Sequence, residues 1–199
     1  MGPSAGEGGL IPRLFLVAPE RPAALLAACL EAACEAGDVA SLVVSPSTTK
    51  ELVALAQSKG VAVLIAGDCA AATRLGCDGV HVDSSTEAVA DARRAVGKNG
   101  IVGAFAGASR HLAMEAAEAG ADYIALSQSG ASIGGEPIVK WWSDFFEIPS
   151  VAFDPVETSA LDILLPQNPD FIRPSDAMWD DAESSRRIIS ELMQRLATT

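Results

Sequence analysis

A chain of 199 residues with 49% apolar and 20% charged residues carries enough apolar side chain for one core of ordinary size, so a single compact domain is expected and disordered or fibrous classes are excluded. The formal charge of -12 repels polyanions over the surface as a whole. This excludes nucleic acid and anionic membrane surfaces as partners, while a local basic grip on a small phosphorylated molecule stays available.

The start, MGPSAGEGG, has neither a basic leader nor an apolar stretch, so residues 1–12 read as a Gly-rich tail ahead of a domain over 13–199. The longest apolar runs, such as VAVLIA from Val61, are far shorter than the roughly 20 residues that cross a bilayer. No membrane partner and a cytoplasmic location are expected. From Leu14 the chain alternates short apolar strands with Ala-rich or amphipathic helices. LFLVA is followed by AALLAACLEAACEAG, GDVASLVV by TTKELVALAQSKG, GCDGVHV by STEAVADARRAVG, IVGAF by SRHLAMEAAEAG, and NPDFIRP by ESSRRIISELMQRL. VAVLI, GADYIAL and SVAF supply the remaining strands. Gly37, Gly60, Gly97 and Gly120 fit the residue just past a helix, where a left-handed backbone carries no Cβ penalty. The four cysteines, 29, 34, 69 and 77, lack C-x-x-C spacing and read as small buried thiols.

One corner recurs: a turn residue, an Asp, then an apolar run, with the Asp at 38, 78, 122 and 170. Eight strand-and-helix units with this fourfold echo predict a closed (β/α)8 TIM barrel rather than an open doubly wound sheet. No Gly-x-Gly-x-x-Gly or Gly-x-x-x-x-Gly-Lys loop supports the open alternative. The four Asp fall on the N-terminal, stability face, and chemistry is expected at the C-terminal strand ends.

From Val61 to Leu126 the chain resembles the thiamine-phosphate synthase family and its thiazole-tautomerase relatives, the TenI branch, through LGCDGVHV, ARRAVGKNGIVGA and AAEAGADYIAL. The resemblance implies joining an aminopyrimidine diphosphate to a thiazole phosphate with loss of pyrophosphate, Mg²⁺ neutralising the leaving group. Carried over position by position, the Asn-Asp pair after the third strand falls on Ala66 and Gly67, with Asp68 one place later as the remaining metal candidate. The metal-binding Asp after the fourth strand falls on Thr86, the Ser after the fifth on Phe105, and the diphosphate-gripping run after the second on VVSPS. The loop after the sixth strand reads SQSGASIGGE, with no Lys until Lys140, and the phosphate-holding Gly-Gly after the seventh is Asp154-Pro155. Proline offers no amide donor and Asp154 repels phosphate. Mg²⁺ is therefore expected only where synthase chemistry is retained, and no other cofactor is expected.

The remaining candidates lie at the barrel mouth. Arg173 and Ser175 end the eighth strand, where barrels commonly bind phosphate, with Ser127 and Asp154 beside them as substrate-binding residues. Alternatively, Arg173 pairs with Asp154 across the mouth. His111 resembles the proton-transfer histidine of the tautomerase branch and is the catalytic candidate, or else a surface histidine in a first helical turn. His81 reads as a core histidine, and Asp83, Ser84 and Ser85 as a helix cap or a metal site. Other basic residues near the mouth are Arg21, Lys50 and Arg110. The segment WWSDFF from Trp141 reads as an interface or core-cover element, and a homo-oligomer is expected. Three functions follow: a divergent transferase, a metal-free tautomerase using His111, or a non-catalytic binder of a thiazole phosphate or similar ligand.

Overall fold

The computed structural model describes residues 11–128 and 135–198. All of the expected tail but Ile11 and Pro12, and the centre of the loop after the sixth strand, lie outside the described residues. Among the described residues eight parallel strands close into a barrel in chain order: β1 (Arg13–Val17), β2 (Val39–Val44), β3 (Ala62–Ala66), β4 (Gly79–Asp83), β5 (Ile101–Gly107), β6 (Tyr123–Leu126), β7 (Ser150–Val156) and β8 (Phe171–Pro174). Outside them run α1 (Ala23–Ala36), α2 (Lys50–Ser58), α3 (Cys69–Leu75), α4 (Thr86–Val96), α5 (Arg110–Glu118), α6 (Ile138–Phe145), the single turn α7 (Leu161–Leu164) and α8 (Ala182–Leu196).

Strand side chains alternate between two cores, as a barrel requires. On β1, Leu14 and Leu16 face the helices and are fully buried, whereas Phe15 faces the axis with Val43, Leu64, Tyr123, Ala125 and Val151. Truncating a buried leucine of the outer layer to Ala costs about 2–5 kcal/mol. Gly103 makes room on the axis: a Cβ there would lie 1.8 Å from Tyr123 Cζ.

The recurring Asp has a common task at the foot of the barrel. Asp78 Oδ2 accepts from Val63 N at 2.7 Å, Asp122 Oδ2 from Val102 N at 2.8 Å, and Asp170 Oδ2 from Ser150 N at 2.7 Å. Each aspartate that opens an even strand thus satisfies an amide of the odd strand before it. Asp38 varies the device, taking the Arg13 guanidinium through Nε at 2.7 Å and Nη2 at 2.8 Å. That guanidinium holds the Asp38 carboxyl below its usual range.

Helix starts follow one rule. Thr49, Asp68, Ser85, Ser109 and Asp181 each accept the amide three residues on. Gly60, Gly97 and Gly120 adopt positive φ as expected, but Gly37 does not: its φ of -164° is extended. What glycine provides there is space, because a Cβ would sit 2.7 Å from Ile189 Cγ2 and Met193 Cγ of α8. All four cysteines are free thiols.

Candidate functional site

The mouth is organised by an aromatic column. Phe153 of β7 stacks on His81 of β4, with centroids 5.4 Å apart and planes 10° apart, and packs at 4.9 Å against Phe105, which is 37% exposed. Beneath Phe153, His81 Nδ1 meets Tyr123 Oη at 2.7 Å. Burial lowers the His81 pKa to about 4, and burial followed by the Asp122 charge raises that of Tyr123. At neutral pH both groups are uncharged, and their bond fixes the column from below. His81 is therefore a hydrogen-bonded core residue, as its strand setting predicts.

Arg173 lies at the upper edge of this column. Its guanidinium carbon is 5.1 Å from the Phe153 centroid, Nη2 holds both oxygens of Asp176 at 2.7 and 3.0 Å, and Nη1 reaches Phe153 O at 3.4 Å. The side chain is 15% exposed, and its buried Nε has no hydrogen-bond partner among the described residues. A guanidinium donor left unpaired in a low-dielectric setting is costly unless an anion or water meets it.

The alternative pairing of Arg173 with Asp154 is not formed. Asp154 instead accepts from Ser127 Oγ and from Gln128 N, both at 2.6 Å. The cause lies in the strand: β7 and β8 pair Val151 with Phe171 and Ala152 with Ile172, then slip so that Val156 meets Pro174. The irregular stretch between these pairs includes Asp154, while the nearby Asp176 takes the guanidinium. Asp154 and Ser127 thus form one rim cluster, and Arg173 belongs to another. Ser175 opens the 3-10 turn Asp176–Trp179 and lines a separate cavity of about 360 Å³ with Glu157, Arg187 and Glu191.

Two further candidates have local duties. Asp68 Oδ1 caps α3 through Ala71 N at 2.9 Å. Of the fourth-strand group, Ser85 Oγ caps α4 through Ala88 N at 3.1 Å and Asp83 Oδ1 accepts from Ser85 N at 2.9 Å, so the capping assignment accounts for these two, while Ser84 is buried. No cluster of three or more His, Cys, Asp or Glu side chains suited to a metal is present among the described residues. His111 stands in the first turn of α5, three-quarters exposed, with Nε2 3.4 Å from Glu115 Oε1. Arg110 pairs with Glu136 at 3.1 Å and lies over Trp141 at 4.6 Å. In the aromatic segment Trp142 is fully buried, donating to Ile148 O at 2.7 Å, whereas Phe145 is 70% exposed.

The mouth residue missed in the sequence is Phe153, and Phe105 is singled out there only as a replaced family position, not as part of an aromatic column. Their signal is parity: each lies two positions beyond another residue on the axis-facing side of its strand, Gly103 and Val151 respectively.

No helix is long and apolar enough to cross a membrane among the described residues. Residues 14–165 match the family described as thiamine monophosphate synthase. The thiamine-phosphate synthase of Rhodospirillum centenum is 34% identical over 186 residues, covering 84% of this chain and 89% of that protein. That of Hyphomonas neptunium is 31% identical over 210 residues, covering 93% and 95%. Among solved structures, the thiamine phosphate pyrophosphorylase of Pyrococcus furiosus superposes with a TM-score of 0.76 at 20% identity, covering 94% of this chain and 96% of that one. The barrel, the family match and these full-length relatives together place the chain in the thiamine monophosphate synthase and TenI family.

Proposed function

We propose that this chain acts in or near thiamine biosynthesis by holding a monophosphorylated heteroaromatic, such as a thiazole phosphate, at the barrel mouth, with Arg173 meeting the phosphate. The observation that carries this reading is the buried Nε of Arg173 beside the Phe153 ring, unpartnered among the described residues. A phosphate oxygen satisfies that donor once the guanidinium turns from Asp176 toward the mouth, and a flat ring fits the neighbouring aromatic surface. Asp176 is the competing anion that a phosphate displaces or shares.

The family's Mg²⁺ is not matched by the residues present. A Mg²⁺-diphosphate complex draws on one or two carboxylates free to coordinate. Asp68 already spends an oxygen on its helix cap, and the matching neighbours are Ala66, Gly67 and Thr86. The exposed setting of His111 beside Glu115 gives the tautomerase reading less support than the binding reading.

Calorimetry with thiazole phosphate, run with and without Mg²⁺ alongside an assay for thiamine phosphate formation, tests the proposal. Binding that does not depend on Mg²⁺, without product, is expected. Mg²⁺-dependent synthesis at an ordinary turnover, roughly 1 s⁻¹ or faster, overturns it.

A further inference from the structure

The barrel holds a second cavity, at the end opposite the mouth. It has a volume of about 250 Å³, and its lining includes Phe15, Ser41, Ala62, Leu64, Tyr123 and Phe171. Its origin is a local shortage of bulk on the axis: Ser41 of β2 and Ala62 of β3 are paired in register, so two small side chains sit side by side in a cavity otherwise walled by Phe15, Leu64, Tyr123 and Phe171. The cavity reaches the N-terminal rim at Arg13 and Asp122, each about half exposed. Phe15, Tyr123 and His81, in mutual ring contact, separate it from Phe153 and the mouth.

Its chemistry selects for a neutral ring. The walls are aromatic and aliphatic, and the charges at the rim are already matched, Arg13 with Asp38 and Asp122 with Arg93. Ser41 is the one departure: it is 9% exposed, it lines the cavity, and its hydroxyl makes no hydrogen bond among the described residues. That hydroxyl lines the open cavity and is free to bond to a ligand or water there. Apolar cavities of about 150 Å³ accept a benzene ring, and this larger space admits a ring bearing a substituent.

We infer that the N-terminal end of the barrel is a second ligand site, taking a neutral single-ring aromatic whose hydroxyl or similar group bonds to Ser41. The site is independent of the mouth and of the phosphate held there.

Titration of the full chain with phenol and with toluene, followed through backbone amide NMR shifts, tests this. Both probes are expected to saturate, with the largest shifts at Ser41, Ala62 and Tyr123. Ser41→Ala should weaken phenol about fivefold, the effect of one neutral hydrogen bond, and leave toluene nearly unchanged. Ala62→Leu should exclude both probes. If Ala62→Leu fails to fold, the Ser41→Ala contrast between phenol and toluene decides alone. No saturable binding, shifts centred elsewhere, or equal phenol affinity in the wild type and Ser41→Ala overturns the inference.

Discussion

At the N-terminal end of the barrel three of the four recurring aspartates share one task, whereas at the mouth each aspartate has a different one. Asp78, Asp122 and Asp170 each satisfy an amide of the preceding strand, and Asp38 takes the side chain of Arg13. At the mouth, Asp68 caps a helix, Asp83 braces a turn, Asp154 ties two rim residues and Asp176 holds Arg173. Similar carboxylates thus maintain the scaffold where the setting is periodic and take unlike tasks where it is not. Repetition along the chain points to architecture, and its absence at the strand ends points to the site.

The sharpest test of this division lies between the two ends, at His81. Its pKa of about 4 in the folded chain is below the ordinary value of 6.5. The unfolded chain therefore takes up a proton first as the pH falls. Its contribution is fully present above 6.5, is lost progressively down to about 4, and is level below that. At about 1.4 kcal/mol per pKa unit, the loss is roughly 3 kcal/mol. Urea denaturation across this range should show that slope in the wild type, and His81→Gln should remove most of it. An unchanged slope in the variant would assign the acid sensitivity to other groups.

Asp78→Ala leaves Val63 N without its acceptor and should lower stability by about 2 kcal/mol, with ligand affinity at the mouth unchanged. Urea denaturation and calorimetry read the two quantities separately. Loss of affinity together with stability would show that the ends are not independent.

The smallest expected effect is at the mouth. Asp176→Asn removes the anion that competes for Arg173, and phosphate binding should tighten by about 0.5–1 kcal/mol, the scale of an exposed ion pair. Weaker binding in this variant, measured by calorimetry, would make Asp176 a positioning residue for the guanidinium instead.

The scaffold was legible in the sequence because its causes are local and periodic. Alternation placed the strands, Gly60, Gly97 and Gly120 marked turns, and Ser85-Thr86-Glu87 announced the start of a helix. The mouth was legible only in part. Arg173 was located at the end of β8, but its partner depends on a slip in the pairing of β7 with β8, which no spacing in the chain reveals. Gly37 has a similar explanation: the feature it answers to is the side-chain packing of α8, 152 positions away at Ile189. His111 shows the same limit from another direction, since a helix-start histidine has the same sequence context whether it faces a ligand or solvent.

Calorimetric titration of thiazole phosphate into the wild type and Arg173→Ala, without Mg²⁺, tests the central claim most directly. The expected result is saturable binding to the wild type that weakens by about 1.5–3 kcal/mol in the variant, the scale of a hydrogen bond to a charged group, while the folding midpoint stays nearly constant. Equal affinity in the two proteins would contradict it and remove Arg173 from the ligand site.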